Sequence, residues 1–332
     1  MQRRSFLLCI TGVAAAGWTG WKAGSTLLAG RPVKVSRTAW AFGTDCTLTV
    51  FHDDVGRAQN AISAALAEID AVEQVMSLYR PDSQICRLNA TGRLADPHPW
   101  LLQVLQAAAD LSRRTGGVFD VTVQPLMRLY LDAAAGGVLP DTAALAAARA
   151  RVDWRRVEIA ADGIRLHGDG TAVTLNGIAQ GFAADAVASV LARHGIASAL
   201  IDTGEISALG THPDKDAWTI GIKHPRAPGE WIGLAGLHGR CLATSGDYET
   251  SFATDFSQHH LLDPRTGRSP AELASVSVIA PTALAADALS TAAFLLGPEA
   301  GMRLVQATTG ADALFVAKDG ARVQTPGFPM AG

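Results

Sequence analysis

Cysteine is scarce in this sequence: four residues in 332, Cys9, Cys46, Cys86 and Cys241, too far apart for a disulfide framework or a thiolate metal site. Any metal must therefore be held by oxygen or histidine. Charge is sparse too, at 18% of residues with a net of −3, and Lys and Arg are scattered rather than clustered. No basic footprint for nucleic acid or anionic lipid results. With 48% hydrophobic residues the composition also excludes disorder. There is no internal repeat, and the only low-complexity tract is the Ala-rich piece 133–150, which reads as loop then helix.

Long apolar runs are missing as well. The apolar stretch from Phe6 to Ala16 is too short for a comfortable membrane span, and Lys22 interrupts its extension. Arg3 and Arg4 precede it, and no acid occurs before Gly30, the pattern of a signal peptide. The run Gln2-Arg3-Arg4-Ser5-Phe6-Leu7 resembles the twin-arginine export motif, whose pathway carries folded proteins, often with a cofactor bound. Cys9 follows no small residue, so it reads as apolar filler rather than a lipidation site. The expectation is a twin-arginine-type signal peptide at 1–30 and a periplasmic protein at 31–332 that does not span the membrane. Losing Arg3, Arg4 and Lys22 makes that protein more acidic than the whole chain.

Periodicity sketches the elements. Thr38–Phe51 alternates as a strand, and Ala58–Ser77 and Leu101–Arg113 have helical spacing, the latter ended by Gly116-Gly117. Val157–Leu166 and Ala172–Leu175 suggest the two strands of a hairpin, and Gly181–His194 a helix closed by Gly195. Short strands dominate from Ala199 to Val278. Ala283–Leu296 is a strongly apolar helix between Pro281 and Gly297. Helices flanking a mostly antiparallel sheet make the class α+β, in one continuous domain.

Six stretches carry polar residues where ordinary packing does not need them: Phe42–Thr44, Met76–Ser83, Gly116–Thr122, Asn176–Asp185, Ala243–Glu249 and His260–Gly267. Taken singly, each reads as a turn or cap. In the last helix Asp287 and Thr291 stand four apart and share one face. These hard oxygen donors suit Mg²⁺ or Ca²⁺, with carbonyl or substrate oxygens completing the shell. Alternatively, Asp287 serves the helix's first turn and Thr291 bonds back to a carbonyl, and the helix alone does not choose. His259 and His260, adjacent in an expected strand, should point to opposite faces, so only one can enter a given site. His260 precedes the Asp263-Pro264-x-x-Gly267 turn, a rim position from which imidazole can act as acid or base.

In order, these stretches resemble the ApbE family of FAD:protein FMN transferases over about Ala41–Leu296. The resemblance rests on Phe-Gly-Thr, Ser-x-Tyr-x-x-x-Ser, Gly-Gly-x-Phe-Asp-Val-Thr, Gly-Phe-Ala-Ala-Asp, Thr-Ser-Gly-Asp-Tyr, His-x-x-Asp-Pro-x-Thr-Gly and Asp-x-x-x-Thr. It implies a T-fold-like domain with FAD contacts at Phe42, Tyr79, Val118, Phe119, Asp120, Thr174, Gln180 and Leu261. Tyr79 and Phe119 would pack against flavin or adenine, and Asp120 and Asp247 would offer carboxylate acceptors to ring or ribose. The implied Mg²⁺ site uses the Gly177 carbonyl, Asp287 and Thr291, with Ser290 nearby, and decides for a metal at that helix. His260 matches the histidine of the transfer step. Thr174 stands where an acid is common in the family, and Gln180 where Lys or Glu is common. The family's Asn-x-Gly-Gly-Asp loop is shortened to Asp202-Thr203-Gly204-Glu205, as in the NosX-like branch associated with nitrous oxide reductase maturation.

The implied activity is Mg²⁺-dependent transfer of FMN from FAD to a Ser or Thr hydroxyl of a client flavoprotein, with release of AMP. The likeness to the NosX-like branch implies a membrane-bound NosR-like protein as one such client. The rival expectations are an FAD pyrophosphatase giving FMN and AMP, and a non-catalytic FAD-binding protein.

Overall fold

The first regular element is a hairpin, β1 (Val33–Ala41) and β2 (Thr44–His52), where the alternation at 38–51 suggested one strand. The reversal falls on Phe42 and Gly43, both at positive φ (51° and 77°), a two-residue turn whose twist suits paired antiparallel strands. The alternation itself holds along β2: Cys46, Leu48 and Val50 are fully buried and their neighbours are not. The computed structural model describes residues 31–331, so the expected signal peptide lies outside the described residues.

Next come α1 (Val55–Met76), α2 (Gln84–Thr91), β3 (Arg93–Ala95), α3 (Pro99–Arg114), α4 (Gln124–Ala135) and α5 (Thr142–Arg149). Local caps start several of them: the Asp54 side chain accepts from the Arg57 amide, Ser83 accepts from the Cys86 amide, and Pro99 opens α3. The segment 157–166 is a complete hairpin by itself, β4 (Val157–Ala160) with β5 (Gly163–Leu166). The strand expected at 172–175 is instead a loop whose backbone bonds to α2 and to the 3-10 turn at Val121–Val123. The Val173 amide donates to Asn89 Oδ1 at 2.7 Å, and the Thr174 amide donates to the Val121 carbonyl at 2.8 Å.

The second half holds α6 (Ala179–Arg193), β6 (Ser198–Asp202), β7 (Ile206–Leu209), β8 (Trp218–Lys223), β9 (Trp231–Leu237), β10 (Cys241–Gly246) and β11 (Leu273–Ala280). It closes with α7 (Ala283–Leu296), α8 (Pro298–Gln306), β12 (Asp312–Ala317), β13 (Arg322–Gln324) and β14 (Met330–Ala331). Eight strands form one sheet in the order β1-β2-β6-β7-β10-β11-β12-β13, antiparallel at every pair. The α+β expectation holds.

Helices α1, α6 and α7 pack over one face of this sheet, and the β8–β9 hairpin covers part of the other. Val276, Val278 and Ala280 of β11 enter the core under the helices, while Ile279 enters a second core with Trp218, Ile220 and Leu237. Covered on both sides, β11 is buried along its whole length, which is why its sequence is almost continuously apolar. Helix α7 lies directly on β10 and β11, so its polar positions are fixed by the centre of the molecule. Among the described residues no helix is long and apolar enough to cross a membrane.

Candidate active site

A cleft of about 510 Å³ opens between the first turns of α6, the middle of α7, the end of β10 and the loops after β1, α1 and α3. Twelve of the fourteen residues expected at the site border it: Phe42, Tyr79, Val118, Phe119, Asp120, Thr174, Gly177, Gln180, His260, Leu261, Asp287 and Thr291.

One end is rich in oxygen. Asp287 is almost fully buried, and its Oδ2 accepts a hydrogen bond from the Gly181 amide at 2.9 Å. It plays no part in capping: the Thr282 side chain accepts from the Ala285 amide, and Asp185 of α6 accepts from the Ala283 and Leu284 amides at 2.8 and 2.9 Å. Thr291 Oγ1 lies 3.1 Å from Ser245 Oγ of β10, not on a carbonyl of its own helix. A Cβ added at Gly177 would sit 3.1 Å from Thr291 Oγ1, so glycine lets this backbone approach the hydroxyl without displacing it.

Burial raises the Asp287 carboxyl to about 7; the Gly181 hydrogen bond opposes the rise, and the charge on Asp185 adds to it. An enclosed carboxylate beside hydroxyls and a close backbone fits a hard divalent cation. Among the described residues no three His, Cys, Asp or Glu side chains form a metal cage, so a bound ion would also draw on hydroxyl, carbonyl and ligand oxygens.

The apolar wall is set by tight turns. The Phe42 amide donates to Glu73 Oε1 at 2.9 Å, and Arg80 holds Glu73 Oε2 at 2.6 Å. Those bonds hold a non-glycine residue in the left-handed region. Gly116 and Gly117, at φ 63° and 84°, turn the chain so that Val118 and Phe119 face the cleft. Ser83 Oγ donates to the Ser77 carbonyl at 2.7 Å, closing the loop that presents Tyr79, 78% exposed, at the rim.

His260 and Leu261 occupy the rim opposite in sequence but not in a strand: 251–260 is an irregular loop with one isolated bridge, Ser251 to His259. The two histidines still divide as expected. His259 is in the core with its ring edge-on to Phe294, and burial pushes it down to about 4. His260 borders the cleft, and burial lowers it below the usual histidine value against the Thr250 carbonyl and the charges of Glu249 and Asp247. Its Nδ1 lies 3.4 Å from the Thr250 carbonyl oxygen. With the proton on Nδ1, Nε2 keeps its lone pair.

Two expected residues do not reach the cleft. Asp247 is fully buried in a bidentate pair with Arg226, 2.7 Å at each oxygen, with Lys318 at 3.7 Å. Both its oxygens are engaged by Arg226, and it does not line the cleft. Ser290 donates to the Asp287 carbonyl at 2.9 Å and meets Ser245 at 2.8 Å, which makes it a support behind Thr291. Asp120 borders the cleft, but its oxygens already accept from the Thr122 amide and hydroxyl and the Trp154 amide. Thr174 accepts from the Asn176 amide and Gln180 donates to the Thr203 carbonyl, so both also brace loops.

The sequence reading passed over Ser245, Lys223 and Glu205, all on the cleft. Ser245 lay within a noted motif. Glu205 lay in the shortened loop, noted only for its length. Lys223 carried no local signal, since β8 arrives there only through the fold.

The antiparallel frame and this cleft define an α+β protein whose cleft has an apolar wall and an end lined by oxygen donors. The chain belongs to the ApbE family, whose sequence pattern matches residues 42–315. It is 32% identical over 309 residues to a Treponema pallidum (strain Nichols) protein named FAD:protein FMN transferase, covering 86% of this chain and 84% of that one. A Klebsiella pneumoniae (strain 342) protein of the same name is 31% identical, covering 86% and 89%. The ApbE protein of Thermotoga maritima superposes with a TM-score of 0.81 at 26% identity, covering 89% and 97%. The flavin transferase ApbE of Vibrio cholerae superposes with 0.77 at 27% identity, with the same coverage.

Proposed function

We propose that this protein is an exported, Mg²⁺-dependent FAD:protein FMN transferase that moves the FMN half of FAD to a Ser or Thr hydroxyl of a client flavoprotein and releases AMP. The observation that carries this reading is that the apolar wall, the Asp287–Thr291 pair and His260 all face one cleft. The names of its relatives support it.

Phe42, Val118 and Leu261 would hold the flavin ring and exclude water from it. Gly177, Asp287 and Thr291 would hold the cation, which when bound neutralises charge on the diphosphate and the leaving phosphate. The client's hydroxyl oxygen bonds to the phosphorus on the riboflavin side, the P–O bond to the AMP phosphate breaks, and the bridging oxygen leaves with AMP. His260, neutral because it is enclosed, accepts the hydroxyl proton through Nε2.

The test is incubation with FAD, Mg²⁺ and an exported flavoprotein domain, followed by mass spectrometry. A client heavier by one FMN, with AMP released in equal amount, is the expected result. Free FMN and AMP with an unlabelled client would mean a pyrophosphatase, and intact bound FAD would mean a carrier. A membrane-bound NosR-like protein is the proposed first client to try. Residues 1–30 are proposed to be removed on export to the periplasm, which N-terminal sequencing of the exported protein checks.

A further inference from the structure

The link between β6 and β7 carries an acid with one carboxylate oxygen that the protein leaves without a partner. Glu205 Oε2 is wholly enclosed and has no hydrogen-bond partner among the described residues. Other buried acids here are provided for: Asp247 meets Arg226, Asp263 meets Arg265, and Asp185 takes two amides. Glu205 forms no ion pair with Lys or Arg among the described residues, and the acid whose charge acts on it most strongly is Asp287. An enclosed carboxylate beside another acid is costly unless a cation joins them.

Its position is tightly set. Thr203 Oγ1 donates to the Gln180 carbonyl and Gln180 Nε2 donates to the Thr203 carbonyl, both at 3.1 Å, clamping the link to the first turn of α6. The next residue, Gly181, holds Asp287 through its amide. On the other side the Thr244 amide supports Glu205, and the following Ser245 reaches Thr291 at 3.1 Å. Gly204 at φ 97° allows the close pass, since a Cβ there would fall 2.4 Å from Gln180 Nε2.

We propose that Glu205 is a second carboxylate of the divalent-cation site, supplying an oxygen to the ion together with Asp287. Mg²⁺ sites that also bind substrate phosphates commonly use one or two protein carboxylates. This rests on the metal-dependent reading above.

The test is Mn²⁺ affinity of the purified protein, measured by calorimetry and electron paramagnetic resonance with and without FAD. Wild type, Glu205→Gln, Glu205→Ala and Asp287→Asn are compared, with melting curves on the same samples. The Gln variant keeps the shape and removes the charge. It is expected to bind Mn²⁺ about tenfold or more weakly, while its metal-free melting temperature stays at or above that of wild type. Glu205→Ala is expected to lose similar affinity. If either folded Glu205 variant binds Mn²⁺ as wild type does while Asp287→Asn does not, Glu205 is no ligand and the site keeps one carboxylate. If wild type binds no Mn²⁺ in either condition, the metal-dependent reading itself falls, and this inference with it.

Discussion

Asp287 folds into a place that favours its neutral form, and the sign of the consequence follows. Its carboxyl is raised to about 7 from an ordinary 3.8, so between those values the folded state binds more protons than the unfolded one. Metal-free stability contributed by this group is therefore present below about 4 and lost as pH rises toward 7. A divalent ion should reverse that trend, because it binds the ionised form. Melting curves of the metal-free protein from pH 5 to 8 should show the decline, Asp287→Asn should flatten it, and Mg²⁺ should restore stability at the alkaline end. Asp287→Asn should also abolish transfer. For His260, which burial keeps neutral below the usual histidine range, the acid limb of the rate profile should fall below about pH 6.5. His260→Ala should cut the transfer rate by roughly 10²–10⁴-fold with FAD affinity unchanged by fluorescence titration; an unaltered rate would remove it from the reaction.

At the scale of elements, the Gly-Phe-Ala-Ala-Asp motif joins two helices. Gly181 lets α6 meet α7 so closely that a Cβ would lie 2.2 Å from the Ala283 carbonyl oxygen and 2.8 Å from Asp287 Cβ. One turn on, Asp185 supplies both carboxylate oxygens to the first amides of α7. The motif thus sets the position of the Asp287 helix without touching a ligand itself. Gly181→Ala should cost about 1–3 kcal/mol or more through forced backbone movement and should weaken Mn²⁺ binding. Asp185→Ala should cost about 0.5–2 kcal/mol as a lost cap. Chemical denaturation measures both. A Gly181→Ala protein with normal stability would mean that the helices separate freely. The motif was legible in the sequence, but its task was not, because α7 begins about a hundred residues later. Phe42 is a similar case: its alternating flanks read as one strand because nothing local shows that Glu73 will hold a left-handed turn there.

Across the whole molecule, Asp247 ties three distant parts together: Arg226 between β8 and β9, Lys318 after β12, and the loop bearing His260. Arg226 also lies over the Phe256 ring at 4.3 Å, and Lys318 Nζ donates to the Phe256 carbonyl at 2.6 Å. Arg226→Ala would strip the buried Asp247 of its two short hydrogen bonds and leave only Lys318 at 3.7 Å, a loss of up to about 3–5 kcal/mol, read as a lower unfolding midpoint. Stability should be indifferent to reducing agent: Cys46, Cys86 and Cys241 are free, and burial raises the first and last thiols to about 12 and 11. A shift in midpoint with reductant would reveal a bond the structure does not contain.

The sequence by itself determined the α+β class, the limits of α7, the shared face of Asp287 and Thr291, and the family. Each depends on spacing along the chain or on the order of short motifs, and local geometry turns spacing into shared faces. Which acids serve the cleft was decided only by the tertiary structure. Asp247, Asp287 and Glu205 look alike as letters beside glycine or alanine. Folding brings a guanidinium to the first and none to the other two, since an acid's surroundings are supplied by strands remote in sequence.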